Sequence, residues 1–167
     1  MGTRNITKVI KDGNTVVSQY GQWDGYPAGQ GVTALNFIRN PEMIELLTHN
    51  IDNLYTMSDT VWALEIDKIQ KANLDDKEFE KLWPTMSRNT CADILEVIAT
   101  SEGMLPIVLE LEFEFDELMC EGIYTLNLDN RTFISTYEGI TLVLTFDEIQ
   151  AGLTNDDYVW AFTLEKA

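Results

Sequence analysis

With 167 residues, 45% of them apolar and 10% aromatic, the chain suits one domain with its own core and is too apolar for wholesale disorder. Its 28 acidic and 11 basic residues leave a net charge of −17, a field that repels nucleic acid and anionic membranes and attracts basic protein surfaces. No stretch approaches the roughly 20 apolar residues of a membrane span, and "MGTRNITKVIKDG" lacks the apolar segment of a secretory signal, so a cytoplasmic location is expected.

"ITKVIKDGNTVVSQYG" alternates apolar positions around Asp12-Gly13, which predicts a hairpin with strands at about 5–11 and 14–20. The glycine-rich "QYGQWDGYPAGQG" follows, and "GVTALNFIRN" then reads as a helix starting near Gly31 or Val32. Asn40-Pro41 supplies a cap and first-turn pair for a second helix, with Met43, Ile44, Leu46 and Leu47 inward. "DTVWALEIDKIQKAN" is compatible with strand or helix. "LDDKEFEKLWPTMS" places Phe79, Leu82 and Trp83 at helical spacing before Pro84 ends the run. In "RNTCADILEVIATSEG", Thr90 and Asp93 resemble a capping box, Ile94, Leu95, Val97 and Ile98 form a buried face, and Gly103 is the exit.

After Gly103 the apolar period changes to two. "IVLELEFEF" alternates, "GIYTLNLDNRTFISTY" predicts a hairpin turning at Asp129-Asn130, and "GITLVLTF" reads as another strand or the end of the sheet. "DEIQAGLTNDD" is a short helix or turn, and "YVWAFTLEKA" closes the chain. Together these predict a single α+β domain over 1–167, with a mainly antiparallel sheet and helices packed on one side.

The inventory of reactive residues is short. His49 is the one histidine, placed at the end of an amphipathic helix where pairing with the helix dipole suffices to explain it. Cys91 and Cys120 lie in separate apolar patterns and read as buried free thiols. Three Cys and His residues far apart in sequence do not make a tetrahedral zinc site. Walker, GxGxxG and EF-hand spacings are all missing. No catalytic residue, metal or cofactor is therefore expected.

Residues 19–31 are compatible with two roles. As a site, the glycines permit close backbone approach, the helix start at Gly31 favours an anion, and Tyr20, Trp23 and Tyr26 form a stacking surface with Asp24 as acceptor. As a corner, Trp23 and Tyr26 pack into the core and the glycines only shape the turn. Either way the loop is expected to be ordered and packed against the sheet.

"MGTRNI", "QYGQWDGYPAGQG", "LWPTMSRNTCADILEVI" and "CEGIYTLNLDNRTFISTYEG" occur in the order found in a widespread family from bacteria, their phages and fungi. Its members show an MGTR-type start, a QYGQWDGYPSGQG loop, an "LSRDTGA-ILELI" helix and an acidic "CEWAYVIDLD-NTFEVYKG" hairpin. The resemblance spans most of the chain; it is thinnest in the last hairpin, where Gly122-Ile123 replaces Trp-Ala and Asn127 stands where an acid is common. It transfers no chemistry. It implies that Arg4, Gln19, Trp23, Asp24, Tyr26, Gly29, Gly31, Ser87 and Arg88 are signature positions, expected to cluster around one pocket with Arg4 near Gly31. Small acidic members carried by phages imply a counter-defence role.

In "ELEFEFDE", a strand puts Glu110, Glu112, Glu114 and Asp116 on one face and Leu111, Phe113 and Phe115 on the other. Neighbouring carboxylates would stand roughly 6.6–6.8 Å apart, close to the spacing of phosphates along a nucleic-acid strand. Of the net charge, −12 lies beyond residue 100 (14 acidic, 2 basic) and −5 before it (14 acidic, 9 basic). The expected function is that of an acidic, non-enzymatic phage or mobile-element inhibitor, anti-CRISPR-like, which occupies the basic nucleic-acid-binding surface of a host protein. The alternative is a nucleotide or small-anion module, sequestering or enzymatic, built on the Trp23–Gly31 loop and Arg4.

Overall fold

The computed structural model describes residues 2–166; Met1 of the MGTR start and Ala167 lie outside them. The chain opens with a hairpin of β1 (Asn5–Lys11) and β2 (Asn14–Gly21). Asp12 and Gly13 both adopt positive φ, 52° and 74°, the mirror-image turn whose twist matches that of the strands. The Asp129 carboxylate accepts from the backbone N–H groups of both, at 2.7 and 2.8 Å, and so ties this turn to a distant one.

The middle of the chain is helical. A π-helical turn, Pro27–Gly31, runs into α1 (Val32–Ile38). Then come α2 (Pro41–Asn50), β3 (Leu54–Thr56), α3 (Asp59–Ala72), α4 (Asp76–Leu82) and α5 (Ile94–Ala99). After β4 (Leu105–Ile107) the sheet resumes as β5 (Gly122–Asn127), β6 (Thr132–Tyr137) and β7 (Ile140–Thr145), followed by α6 (Phe146–Gln150) and α7 (Asn155–Glu165).

The five-stranded sheet has the order β2-β1-β5-β6-β7. Every pair is antiparallel except β1 with β5, where the two hairpins meet in parallel. A parallel joint needs a long crossover, and residues 22–121 supply it. β3 and β4 form a separate two-stranded parallel sheet. The fold is α+β.

Alternation along the paired strands sorts the sheet's two faces. Val9, Val17, Tyr124, Leu126 and Phe133 belong to one face and are buried under α1, α2, α5, α6 and α7, with Leu35, Ile38, Leu47, Ile94, Leu95, Ile98 and Phe146 as the helical half of the core. Asn40 caps α2 by accepting from the Glu42 N–H at 3.0 Å. Residues 59–72, where strand and helix were both open, are a helix, started by Ser58 and ended at Asn73 with φ 46°. Neither α3 nor α4 contains a buried residue. Thr90 and Asp93 do not form the expected capping box: a 3-10 turn, Cys91–Asp93, precedes α5, and the Thr90 hydroxyl donates to the Pro84 carbonyl instead.

The largest departure from expectation is at 108–116, which is not an alternating strand. β4 ends at Ile107. The chain touches the free edge of β2 once, where the Glu110 N–H donates to the Ser18 carbonyl at 3.0 Å and the Ser18 hydroxyl donates back to the Glu110 carbonyl at 2.8 Å. It then turns through a 3-10 segment, Phe113–Phe115, over the face of the sheet opposite the helices. Two contacts on that face pull it out of extension. Phe113 meets the Tyr20 ring edge-on at 4.9 Å, and Glu114 takes both carboxylate oxygens to the Lys8 ammonium at 2.8 and 2.7 Å. Asp116 completes the turn, its side chain accepting from the Leu118 and Met119 N–H groups. An extended row of four acids on one face repels itself; the turn relieves this by giving Glu114 a cation. Residues 110–121 form a strap across β2 and β1.

Candidate functional site

The loop 22–31 is ordered and closely tied to its surroundings. Its Gln22 N–H donates to the Arg88 carbonyl at 2.9 Å, Gly25 N–H to Thr3 at 2.9 Å, and Gln30 N–H to Asp24 at 2.8 Å. The Asn5 amide donates to the carbonyls of Gly21 and Trp23, the Tyr124 hydroxyl to Gly25 at 2.7 Å, and the Gln30 side chain accepts from the Ala92 N–H at 3.0 Å. The start, the loop, the 87–92 turn and β5 thus close one knot. A Cβ at Gly29 would fall 2.2 Å from the Asp24 carbonyl oxygen, and one at Gly31 would fall 2.3 Å from the Tyr158 hydroxyl.

This places the signature residues in four settings rather than one pocket. Gly29 and Gly31 serve close packing; Gly31 is buried against Tyr124 and Tyr158, so the start of α1 offers no open anion cradle. The Arg4 guanidinium lies 2.8 Å from the Met119 sulfur, in the strap, and does not serve the helix start as expected. Trp23 and Tyr26 are only partly covered, at 45% and 39% exposure, so neither ring is a core residue. The Trp23 indole N–H donates to Asn89 at 2.8 Å, and the Tyr26 hydroxyl to the exposed Asp24, which lifts the Tyr26 pKa.

Gln19, Ser87 and Arg88 do come together. They line a cleft of about 120 Å³ with Tyr20, Trp62 of α3 and Glu110 of the strap. The Gln19 amide donates to the Ser87 carbonyl at 3.1 Å. Arg88 is exposed, 3.9 Å from Asp76, and borders a second cavity of about 230 Å³ on the Phe79 side. A wider cleft of about 400 Å³ between α1, α2 and α5 is lined by Asn36, Asn40, Asp93 and Glu96. There burial, then Glu96 and Glu80, push the Asp93 carboxyl above the usual range.

The strap carries the other four candidates. Glu110, Glu112 and Asp116 are exposed; Glu114 is half-buried in its ion pair. Beside them Leu111, Phe115, Leu118 and Met119 face solvent, Phe115 at 76% and Leu118 at 90% exposure. The alternating pattern puts Leu111, Phe113 and Phe115 together on the face opposite the acids; the strap instead leaves Leu111 and Phe115 exposed and packs Phe113 on Tyr20. The signal that identifies them was present in their sheer density of alternating acid and apolar side chains, which a strap displays outward as readily as a strand buries.

Reactive groups are subdued. Burial raises the Cys91 thiol, which donates to the Trp23 and Arg88 carbonyls, and burial with Glu114, Asp116 and Glu121 pushes Cys120 up to about 11. Burial also raises the Tyr124 and Tyr158 hydroxyls. His49 is exposed in the last turn of α2. Among the described residues, no group of three or more His, Cys, Asp or Glu side chains is placed to hold a metal ion, and no helix is long and apolar enough to cross a membrane. No family model, curated protein or solved structure matches the chain.

Proposed function

We propose that the protein is an acidic, non-enzymatic binding protein that occupies a basic, nucleic-acid-binding surface of a host protein through the strap at 110–121. The observation that carries this reading is the exposed pair Phe115 and Leu118 set among Glu112, Asp116 and Glu117. Large apolar side chains kept in solvent within a charged rim are the composition of a protein-binding patch. The net charge of −17 selects a basic partner and disfavours nucleic acid itself. The phage counter-defence setting comes from the family resemblance alone.

The test is site-specific photo-crosslinking from position 115 in host lysate. The expected result is capture of a nucleic-acid-binding protein, loss of capture on Leu118→Ser, and displacement by duplex DNA or RNA. A captured protein that ignores both nucleic acid and salt contradicts groove occupation.

A small-anion reading retains one support, Arg88 between the Trp62 and Phe79 cavities. Calorimetry with mononucleotides on wild type and Arg88→Ala decides it: heat lost with the arginine favours this reading, and no heat from wild type removes it.

A further inference from the structure

We infer that β7 is a self-association edge, along which two copies of the chain pair antiparallel about a two-fold axis to join their sheets. The observation is a contrast between the sheet's two edges. β2 is covered at Ser18 by the strap. Among the described residues β7 pairs with β6 alone and is the outermost strand. Its sequence, ITLVLT, contains no charge and no proline, and its register with β6 runs without a bulge. Charges, prolines and bulges are the devices that keep edge strands from pairing, and β7 lacks all three in a chain of net charge −17.

The geometry of the hairpin shows which groups are free. Glu138 and Gly139, at φ 48° and 79°, make a two-residue turn closed by Tyr137 and Ile140. The closing pair of such a hairpin exchanges both its hydrogen bonds. Ile140, Leu142 and Leu144 therefore aim their backbone groups at β6, while those of Thr141, Val143 and Thr145 point away. The Thr145 N–H is already used by Glu148 at 2.7 Å. Thr141 and Val143 remain. Placing Thr141 opposite Val143 of the second copy, and the reverse, satisfies all four of their backbone groups and puts Leu142 on the axis.

Charge argues for a second copy over a foreign basic protein. The strip offers a basic partner no acid. Of the acids at its two ends, Glu138 is paired with Lys166 and Asp147 with Arg131 at 3.4 Å, while Glu148 caps the Thr145 N–H without a cation; with Leu142 on the axis Thr145 lies opposite Gly139 of the second copy, so the two Glu148 carboxylates do not face each other. Two highly acidic molecules can therefore meet here without opposing bare carboxylates. Val143, 61% exposed, gains cover from the pairing. So narrow a contact makes a reversible dimer.

Sedimentation velocity over a concentration series tests this. Wild type is expected to move from 19.0 kDa toward twice that mass as concentration rises. Val143→Glu, an exposed change, and Thr141→Pro, which removes one outward N–H, are expected to stay monomeric with unchanged circular dichroism. Hydrogen exchange on wild type covers the case of a variant that misfolds: the Thr141 and Val143 amides are expected to slow with concentration. A wild type that stays monomeric throughout, a dimer that survives both substitutions, or a dimer whose two amides exchange at the monomer's rate overturns the inference.

Discussion

At the scale of single residues, the loop signature is a set of steric requirements. Gly122 of β5, outside that signature, packs against the loop just as tightly: a Cβ there would lie 2.1 Å from the Gly25 carbonyl oxygen. Gly122→Ala is therefore expected to destabilise by about 1–3 kcal/mol, the usual cost of overpacking, in urea melts. Trp23→Ala should cost clearly less than the about 3–5 kcal/mol of a buried tryptophan, since the ring is 45% exposed. Asp93 has a pH signature. Its pKa is raised in the folded state, so the fold binds this proton more tightly than the unfolded chain does. The group's contribution therefore improves as pH falls from the raised value toward the ordinary 3.8 and is unfavourable at neutral pH. Asp93→Asn should raise the Tm at pH 7, with the gain fading on acidification through that window.

At the scale of elements, the Lys8–Glu114 ion pair is, among the described residues, the one salt bridge that holds the strap, beside the Phe113–Tyr20 ring contact and the hydrogen bonds of Glu110 to Ser18. Lys8 and Glu114 expose only 14% and 17% of their side chains, so removing one partner strands the other charge away from water. Lys8→Met is expected to cost about 3 kcal/mol, the low end for a broken buried pair, while Lys8→Met with Glu114→Leu should recover most of it. A double-mutant cycle from denaturant melts measures this; additive losses would mean the pair does not hold the strap. The α3–α4 segment, with no buried residue, is expected to exchange its amides well before α1 or β5.

At the scale of the whole molecule, charge dominates. A net charge of −17 makes the compact state repel itself, so added salt should raise the Tm before any specific ion effect enters. The same field steers association. Glu110→Gln with Glu112→Gln and Asp116→Asn removes three exposed charges and leaves the Lys8–Glu114 pair intact. In stopped-flow binding to the basic partner, this variant is expected to lose on-rate and salt sensitivity with little change in off-rate. An unchanged on-rate would mean that the strap binds through Phe115 and Leu118 without electrostatic help.

Local chemistry was enough for much of the fold. The Asp12-Gly13 turn, the Asn40-Pro41 helix start and the hairpin around Asp129-Asn130 depend on conformational preferences of a few adjacent residues, and the structure has each in place. The α+β class follows from the change of period after Gly103. Tertiary structure decided the rest. Nothing local reveals that β1 runs parallel to β5, because that choice is made by two hairpins docking across a hundred-residue crossover. The alternation at 108–116 is equally good for a strand and for a strap. Lys8 and Tyr20, far away in sequence, settled it by offering Glu114 a charge and Phe113 a ring on the sheet's outer face. The same distant contacts divided the signature residues, spending Gly29 and Gly31 on packing and bringing only Gln19, Ser87 and Arg88 to one cleft. Spacing along a chain records local preference; which side chains meet depends on partners that only the folded core brings within reach.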